Sequence, residues 1–531
     1  MKRRVLIAVF VLCCAAVSAE QHIGAAAPDT IHVSDPATWS AEELRPYIGK
    51  TVVFDCPIVV CSNASYDLTA STRRLFTPVN QGAPRSTQYN SVVSLNNTGS
   101  VSLSGISGYH RCGEKIYNLH AQVNSTRDIS WVSGEWRGNT RKELEDSIPD
   151  LGDYDLLVCG FNIENYFVDH LGKSYLGANS YAEHQKQRAK VSKALIRINA
   201  DLYGLAEIED GTSALQEITG DLNAALPERK YAYIAGSRKS ASQMSGIVYD
   251  TEVLEPVGTI QEDDIGVVNR KKMICMREKA TGETFIYSIN HFKAKVGSGS
   301  GADANQNDGQ GAFNATRVKE AQAVLDRYRS YSSNRAIKEK DILIMGDLNA
   351  YAKEDPIRRF TDYGMIDLHR AFHADSSYSY QYAGLAGYLD HAICNPTLFP
   401  QITGMSAYHI NSDERDSYNY QQSDDNSMFR CSDHDPILVG LKLDSTLNYD
   451  SSPSVNTAEI ISSKDSVITI SNALKEGQHS FYAIYSTGGL LIDRQEITSE
   501  LQQIDLPVHA GSYVLYIYYD GTVYQRKIIV R

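Results

Sequence analysis

Between Asp155 and Leu443 one arrangement recurs: apolar runs of strand length, interleaved with helical stretches, abut short polar clusters. Lys186 to Ile198 sets Val191, Leu195 and Ile198 on one helical face, and Val318, Ala321 and Leu325 repeat the spacing farther on. Strand-like runs follow each, at Leu202 to Ile208 and Ile342 to Met345. Such alternation predicts an α/β sandwich. Strand ends in these folds converge on one rim, so clusters far apart in sequence can build a single polar site.

Six clusters stand at these positions. Leu156 to Cys159 runs into Gly160 Phe161 Asn162 Ile163 Glu164 Asn165, and the next strand ends in Leu205 Ala206 Glu207 Ile208 Glu209. Then come Asn290 His291 Phe292 Lys293 Ala294 Lys295, Gly346 Asp347 Leu348 Asn349, Leu389 Asp390 His391, and Ser432 Asp433 His434 Asp435 Pro436 before the run Ile437 to Leu441. Taken singly, Asn162 reads as a turn former, Glu207 as a solvated carboxylate and Gly-Asp-x-Asn as a turn. Together they are harder to dismiss. Glu207, Asp347 and Asp433 offer the hard oxygen ligands that Mg²⁺ prefers, while His291 and His434 titrate near neutral pH. A metal beside a phosphate, with one histidine to deprotonate water and another to serve the leaving oxygen, suffices to hydrolyse a phosphoester.

The order of these clusters resembles the endonuclease/exonuclease/phosphatase superfamily, which includes DNase I-like nucleases, sphingomyelinases and inositol polyphosphate phosphatases. Strings such as Phe161 to Phe167, Asn290 to Lys295, Gly346 to Pro356 and Tyr408 to Glu414 resemble its secreted bacterial extracellular nuclease branch. The resemblance implies a DNase I-like α/β (α+β) four-layer sandwich over residues 150–443. It also implies roles. Glu207 is the main Mg²⁺ (or Mn²⁺) ligand, with Asp433 as a second metal or phosphate-side ligand and Asn162 holding phosphate or the metal-binding carboxylate. His434, oriented by Asp390, serves the attacking water, Asp347 and Asn349 position nucleophile and phosphate, and His291 contacts that phosphate or protonates the leaving oxygen. Asn290 belongs to the substrate-binding set.

The formal charge of −13, from 51 Lys plus Arg against 64 Asp plus Glu, argues against a surface that binds nucleic acid everywhere. A nuclease of this charge concentrates its cations at the cleft, and Lys293, Lys295, Arg317 and Lys319 flank the site in sequence. The loop Gly297 to Gly311 is either a flexible linker or a substrate-side loop, with Asp303 and Asp308 as candidate Ca²⁺ ligands in a spacing unlike an EF-hand.

At 531 residues the chain requires roughly three domains, and its ordinary apolar and charged fractions exclude collagen, coiled coil and disorder. Lys2, Arg3 and Arg4 before the apolar run Val5 to Val17, with Ser18 and Ala19 after it, read as a signal peptide over residues 1–19. Export to the extracellular space or the outer-membrane surface, without stable membrane insertion, is therefore expected. Residues 30–140 read as a small β-barrel or sandwich and resemble OB-like modules, residues 444–457 read as a linker, and residues 458–531 as a C-terminal β-sandwich. That last segment resembles a type IX secretion sorting domain, which implies the type IX machinery as a partner. Seven cysteines remain beyond the leader: Cys159 and Cys394 read as buried apolar residues, and a bridge among Cys56, Cys61 and Cys112 stays open.

The expected activity is hydrolysis of phosphodiesters in DNA, or RNA, with little sequence preference. The rivals are a sphingomyelinase or phosphomonoesterase of the same superfamily, and a surface binding protein with a degenerate site.

Overall fold

The computed structural model describes residues 28–36, 39–64, 67–77, 99–172, 176–237, 242–373 and 376–443, then 461–464, 467–471, 481–486, 491–497, 501–505, 511–519 and 522–530. The expected leader and the expected linker lie outside these residues, as does the stretch 78–98 of the expected N-terminal β region.

The middle of the chain folds into two facing six-stranded sheets. Across the first, the strand order is Tyr231–Ile234, Gln243–Asp250, Leu202–Glu209, Leu156–Tyr166, Ile437–Leu441 and Ile402–Ala407. Across the second it is Leu254–Asp263, Lys271–Glu278, Thr284–His291, Ile342–Asp347, Asp390–Cys394 and Ile366–Asp367. Each sheet contains one parallel pair, Leu156–Tyr166 with Leu202–Glu209 and Thr284–His291 with Ile342–Asp347. Parallel neighbours need a crossover. The helices Tyr181–Ile198 and Asn314–Ser332 supply it, which is why the helical spacing falls where it does.

Val158, Leu202, Ile247, Ile274, Ile289, Leu343, Met345 and Val439 fill the space between the sheets. At Gly204 a β-carbon would lie 2.0 Å from the Tyr287 hydroxyl and 2.8 Å from Ile289, so glycine there lets the sheets close on each other. Helices Tyr181–Ile198 and Ser213–Ala225 cover the outside of the first sheet, and Asn314–Ser332 with Asp355–Asp362 cover the second. The result is the four-layer sandwich.

Two details depart from expectation. The strand opened by Leu156 continues to Tyr166, so Asn162 lies within it, just before pairing slips and Glu164 and Asn165 turn to φ 53° and 54°. In helix Asn314–Ser332 the inner face is Ala321, Val324, Leu325 and Tyr328, while Val318 is only half-buried.

Ahead of the sandwich, strand Lys115–Ser125 pairs with Ile58–Ser62, and the ring continues through Leu68–Ser71, Val101–Ser104 and Asp128–Arg137 back to Lys115–Ser125. This closed barrel packs its own core of Val52, Phe54, Ile116, Leu119 and Ile129. After the sandwich come a three-stranded sheet and a four-stranded sheet. Arg494 donates to the carbonyls of Pro400 (2.8 Å) and Ile402 (3.2 Å), and Tyr485 meets Phe399 edge-on, joining the four-stranded sheet to the sandwich. All seven cysteines of the described residues are free thiols, so the bridge left open among Cys56, Cys61 and Cys112 does not form. Cys159 and Cys394 are fully buried in the sandwich. Among the described residues no helix is long and apolar enough to cross a membrane.

Candidate active site

The register of the second sheet places His291 beside Asp347 and Asp347 beside Asp390, on three adjacent strands. Residues opposite one another in register share a face, so these three side chains project together. The first sheet brings Asn162, Glu207 and the segment before Ile437 to the same rim. There the two sheets meet. His291 Nε2 lies 3.6 Å from both Glu207 Oε1 and Asp347 Oδ2, and His434 Nε2 lies 3.8 Å from Asp347 Oδ2 and 3.9 Å from Asp433 Oδ2. Asn162 donates to Asp347 Oδ2 (3.1 Å), and the Asn349 backbone and side chain hold the same carboxylate at 2.8 and 3.2 Å.

Asp390 orients His434 directly, with Oδ2 2.7 Å from Nδ1. The same oxygen accepts the Ser379 hydroxyl at 2.7 Å, and the Tyr380 ring stacks on the His434 ring with centroids 4.8 Å apart. Burial would keep His434 neutral, but Asp390, Asp433 and Asp347 outweigh it and hold the imidazole protonated well above its ordinary range. His291 goes the other way. Its burial, reinforced by Arg270 and His434, holds it neutral. Arg270 Nη1 faces His291 Nδ1 at 3.3 Å, and arginine can only donate, so the neutral ring carries its proton on Nε2, toward the carboxylates.

The acids at this rim are under-compensated. Burial, together with Asp433, drives Glu164 up to about 8, and burial with the Asp390 charge drives Asp347 up to about 7 even against His434. Glu207 is raised as well, by burial and then by Asp433. Ligand atoms of Glu207, His291 and Asp347 lie within 4.8 Å of one another, as do those of Asp347, Asp390 and His434. Converging carboxylates whose burial outweighs the cations beside them, His434 and Arg270, are the donor set a divalent cation fits, Glu207 and Asp347 being the residues that would hold it.

Four expected contacts need correction or qualification. Arg317 is fully buried and donates to the carbonyls of Gln310, Ala312 and Lys293, so it ties down the loop rather than facing a substrate. Lys295 pairs with the buried Glu354, which neutralises it. Asn290 is buried in the sheet on Ser288 and the Met345 carbonyl, because it points to the face opposite its neighbour His291. Lys293 stays at the rim, its ammonium 4.5 Å over the Phe313 ring. The loop Gly297 to Gly311 is folded: Asp303 accepts both the backbone and hydroxyl of Thr316 at the start of the helix, and Asp308 accepts from Gln310. Asp303 is thereby engaged as a helix cap, not aimed at a cation.

Arg270, Glu164, Ser379 and Tyr380 belong to the site and were not singled out from sequence. Arg270 opens the basic triplet Arg270 Lys271 Lys272, which was a usable signal. Ser379 and Tyr380 carry none, since the hairpin that seats them is distant in sequence from their partner His434.

An αββα sandwich whose rim gathers two histidines, Asn and metal-type carboxylates defines a phosphoester hydrolase. The sequence model of the Endonuclease/Exonuclease/phosphatase family matches residues 159–434, just over half of the chain, and the chain belongs to that family. Solved structures similar to it include the Bacteroides vulgatus endonuclease/exonuclease/phosphatase (17% identity, 54% of this chain and 99% of that one, TM-score 0.37). Others are the Bacteroides thetaiotaomicron mannosyl-6-phosphatase Bt3783 (17%, 54% and 100%, 0.38) and D. rerio TDP2 complexed with single strand DNA product (12%, 54% and 99%, 0.35). No curated protein matches the chain.

Proposed function

We propose that this protein is a secreted, Mg²⁺-dependent nuclease that hydrolyses phosphodiester bonds in DNA, with RNA as an alternative polymer. The observation that carries the reading is the convergence of Glu207, Asp347, His291 and the Asp390–His434 pair at one rim. The divalent cation would supply charge neutralisation at phosphate and a more acidic water. His434, held by Asp390, orients and balances the attacking water, and Asn162 and Asn349 keep the Asp347 carboxylate in place. His291, with its proton on Nε2, is placed to donate to a phosphate or leaving oxygen. Among the described residues, Lys293 and Arg270 are cations at the rim that a phosphate backbone would meet.

A second reading, a phosphomonoesterase or sphingomyelinase, gains weight from Arg317 and Lys295, whose charges are spent inside the protein. Fewer cations at the cleft suit a smaller phosphate ester. Hydrolysis of DNA, RNA, sphingomyelin and a sugar phosphate, each with and without EDTA, separates the two. DNA or RNA cleavage abolished by EDTA supports the nuclease, and turnover of the small esters alone refutes it. Export by a leader over residues 1–19 and delivery by the type IX machinery through residues 458–531 belong to the same proposal, as does the OB-like character of the barrel. Loss of delivery to the cell exterior on truncation after Leu443 tests the sorting role, and normal export would refute it.

A further inference from the structure

The N-terminal barrel touches both segments that seat the His434–Asp390 pair. The first is the hairpin Tyr380–Tyr382 and Leu385–Gly387, preceded by Ser379. Its second strand is extended by the barrel: Thr77 N–H donates to the Ala386 carbonyl and Ala386 N–H to the Leu75 carbonyl, both at 2.9 Å. Gln381 of the hairpin donates to the Cys61 carbonyl at 2.8 Å. The second is the loop from His409 to Asp435. Here Asp413, with no exposed side-chain surface, accepts from Arg74 (2.6 Å) and Asn139 (2.7 Å) of the barrel side, and Glu414 accepts from Arg111 (2.5 Å) and Arg141 (2.5 Å).

From there the contacts run to the histidine. Asn411, two residues before Asp413, donates to the His434 carbonyl at 2.7 Å and accepts the Cys431 N–H at 3.0 Å. Asp435, next to His434, accepts the backbone N–H groups of Asn411 and Ser412, and its own N–H donates to the Ser379 carbonyl. Ser379 in turn holds Asp390. One nitrogen unites the two segments: Arg74 Nη2 donates to Gln381 Oε1 and to Asp413 Oδ1, at 2.6 Å each.

We propose that the barrel is a built-in positioning element of the active site, with Arg74 the residue that locks the 379–387 hairpin to the 409–435 loop and so fixes His434 against Asp390 and beneath Tyr380. Arg74 is a positioning residue that touches no reacting atom. The chain of contacts that starts at Gln381 and Asp413 ends on His434 and Asp390 and does not reach Glu207, so loss of Arg74 slows turnover and spares the metal requirement. The inference rests on the reading of His434 and Asp390 as catalytic groups.

The test compares full-length wild type with Arg74→Met, Arg74→Lys and Gln381→Leu, with Lys50→Met as control because Lys50 pairs with Asp29 within the barrel. Hydrolysis of a DNA substrate gives kcat, KM and the Mg²⁺ concentration for half-maximal rate, and hydrogen exchange reads the backbone of both segments. We expect Arg74→Met to lower kcat by about 10- to 100-fold, as sub-ångström to ångström misplacement does. KM and the Mg²⁺ requirement should hold, Arg74→Lys should recover part of the loss, and exchange should quicken only in 376–390 and 409–436. Gln381→Leu, which keeps the Arg74–Asp413 pair, should show a smaller loss of the same kind and decides the matter if Arg74→Met does not fold. Unchanged kcat, or faster exchange spread over both sandwich sheets, would overturn the proposal. If the wild type cleaves no phosphoester the functional reading fails instead, and the exchange pattern still decides whether Arg74 orders the two segments.

Discussion

At the scale of single residues, the Asp390–His434 pair is one unit, and its mutants should show it. Removing a charged acid-base group of this kind slows a reaction by ~10² to 10⁴. Asp390→Asn and His434→Ala should each lower kcat in that range, and the double mutant should be about as slow as His434→Ala alone, because an orienting carboxylate matters only while its histidine is present. Multiplying losses would mean that Asp390 acts on its own. A second residue reports through stability. Burial, then the nearby Glu339 charge, pushes Asp341 up to about 7, although Gln401 donates to it at 2.6 Å. Below about pH 4 both folded and unfolded chains carry its proton. Between there and about pH 7 the unfolded chain releases the proton while the fold retains it, so the contribution of Asp341 falls with rising pH and is lost above 7. Asp341→Asn keeps the shape and the Gln401 hydrogen bond, so it should raise stability at pH 8 by about 2 to 4 kcal/mol and leave it unchanged at pH 4. Thermal unfolding at the two pH values checks this, and equal effects at both would refute the protonation argument.

At the scale of elements, the site depends on where strands end. Gly346 has φ 123°, and a β-carbon there would lie 2.0 Å from the Asn290 carbonyl oxygen. Gly346→Ala should therefore push apart the ends that carry His291 and Asp347, costing at least ~1 to 3 kcal/mol and lowering kcat together with stability. A variant as stable and active as wild type would show that the strand ends tolerate separation. The same elements show what sequence can reveal. Glu207, His291, Asp347, Asp390 and His434 were legible because each abuts an apolar run, and strand ends must share a rim. Arg317 and Lys295 were misread for the opposite reason. A cation near the site in sequence turns inward when a buried partner such as Glu354 lies across the fold, and nothing local marks that partner. Asn290 shows the limit of a motif: its neighbour His291 faces the site, and the period of two in a strand sends Asn290 to the other side. Ser379 and Tyr380 become functional only through a hairpin seated by long-range contacts.

At the scale of the whole molecule, the change of pattern along the chain is visible in sequence, but the contacts that join its parts are not. The four-stranded sheet after residue 480 packs through Tyr485 on Phe399 and hydrogen-bonds Pro400 and Ile402 through Arg494, on a part of the sandwich that carries no catalytic group. Truncation after Leu443 should leave kcat within about twofold and lower the unfolding temperature, since each large apolar side chain uncovered costs about 1.5 to 3 kcal/mol. A large fall in kcat with no change in stability would contradict that division of labour. The central claim is that the rim around Glu207 and Asp347 is a divalent-metal phosphoesterase site. It is tested most directly by the rate of DNA hydrolysis as Mg²⁺ is added back to EDTA-treated wild type and Glu207→Gln, a change that removes charge and keeps volume. We expect no cleavage without the metal, saturating recovery in wild type, and in Glu207→Gln a shift to higher Mg²⁺ with a maximal rate ~10² to 10⁴ lower and unfolding unchanged. Cleavage that survives EDTA, or full activity of Glu207→Gln at low Mg²⁺, would contradict it.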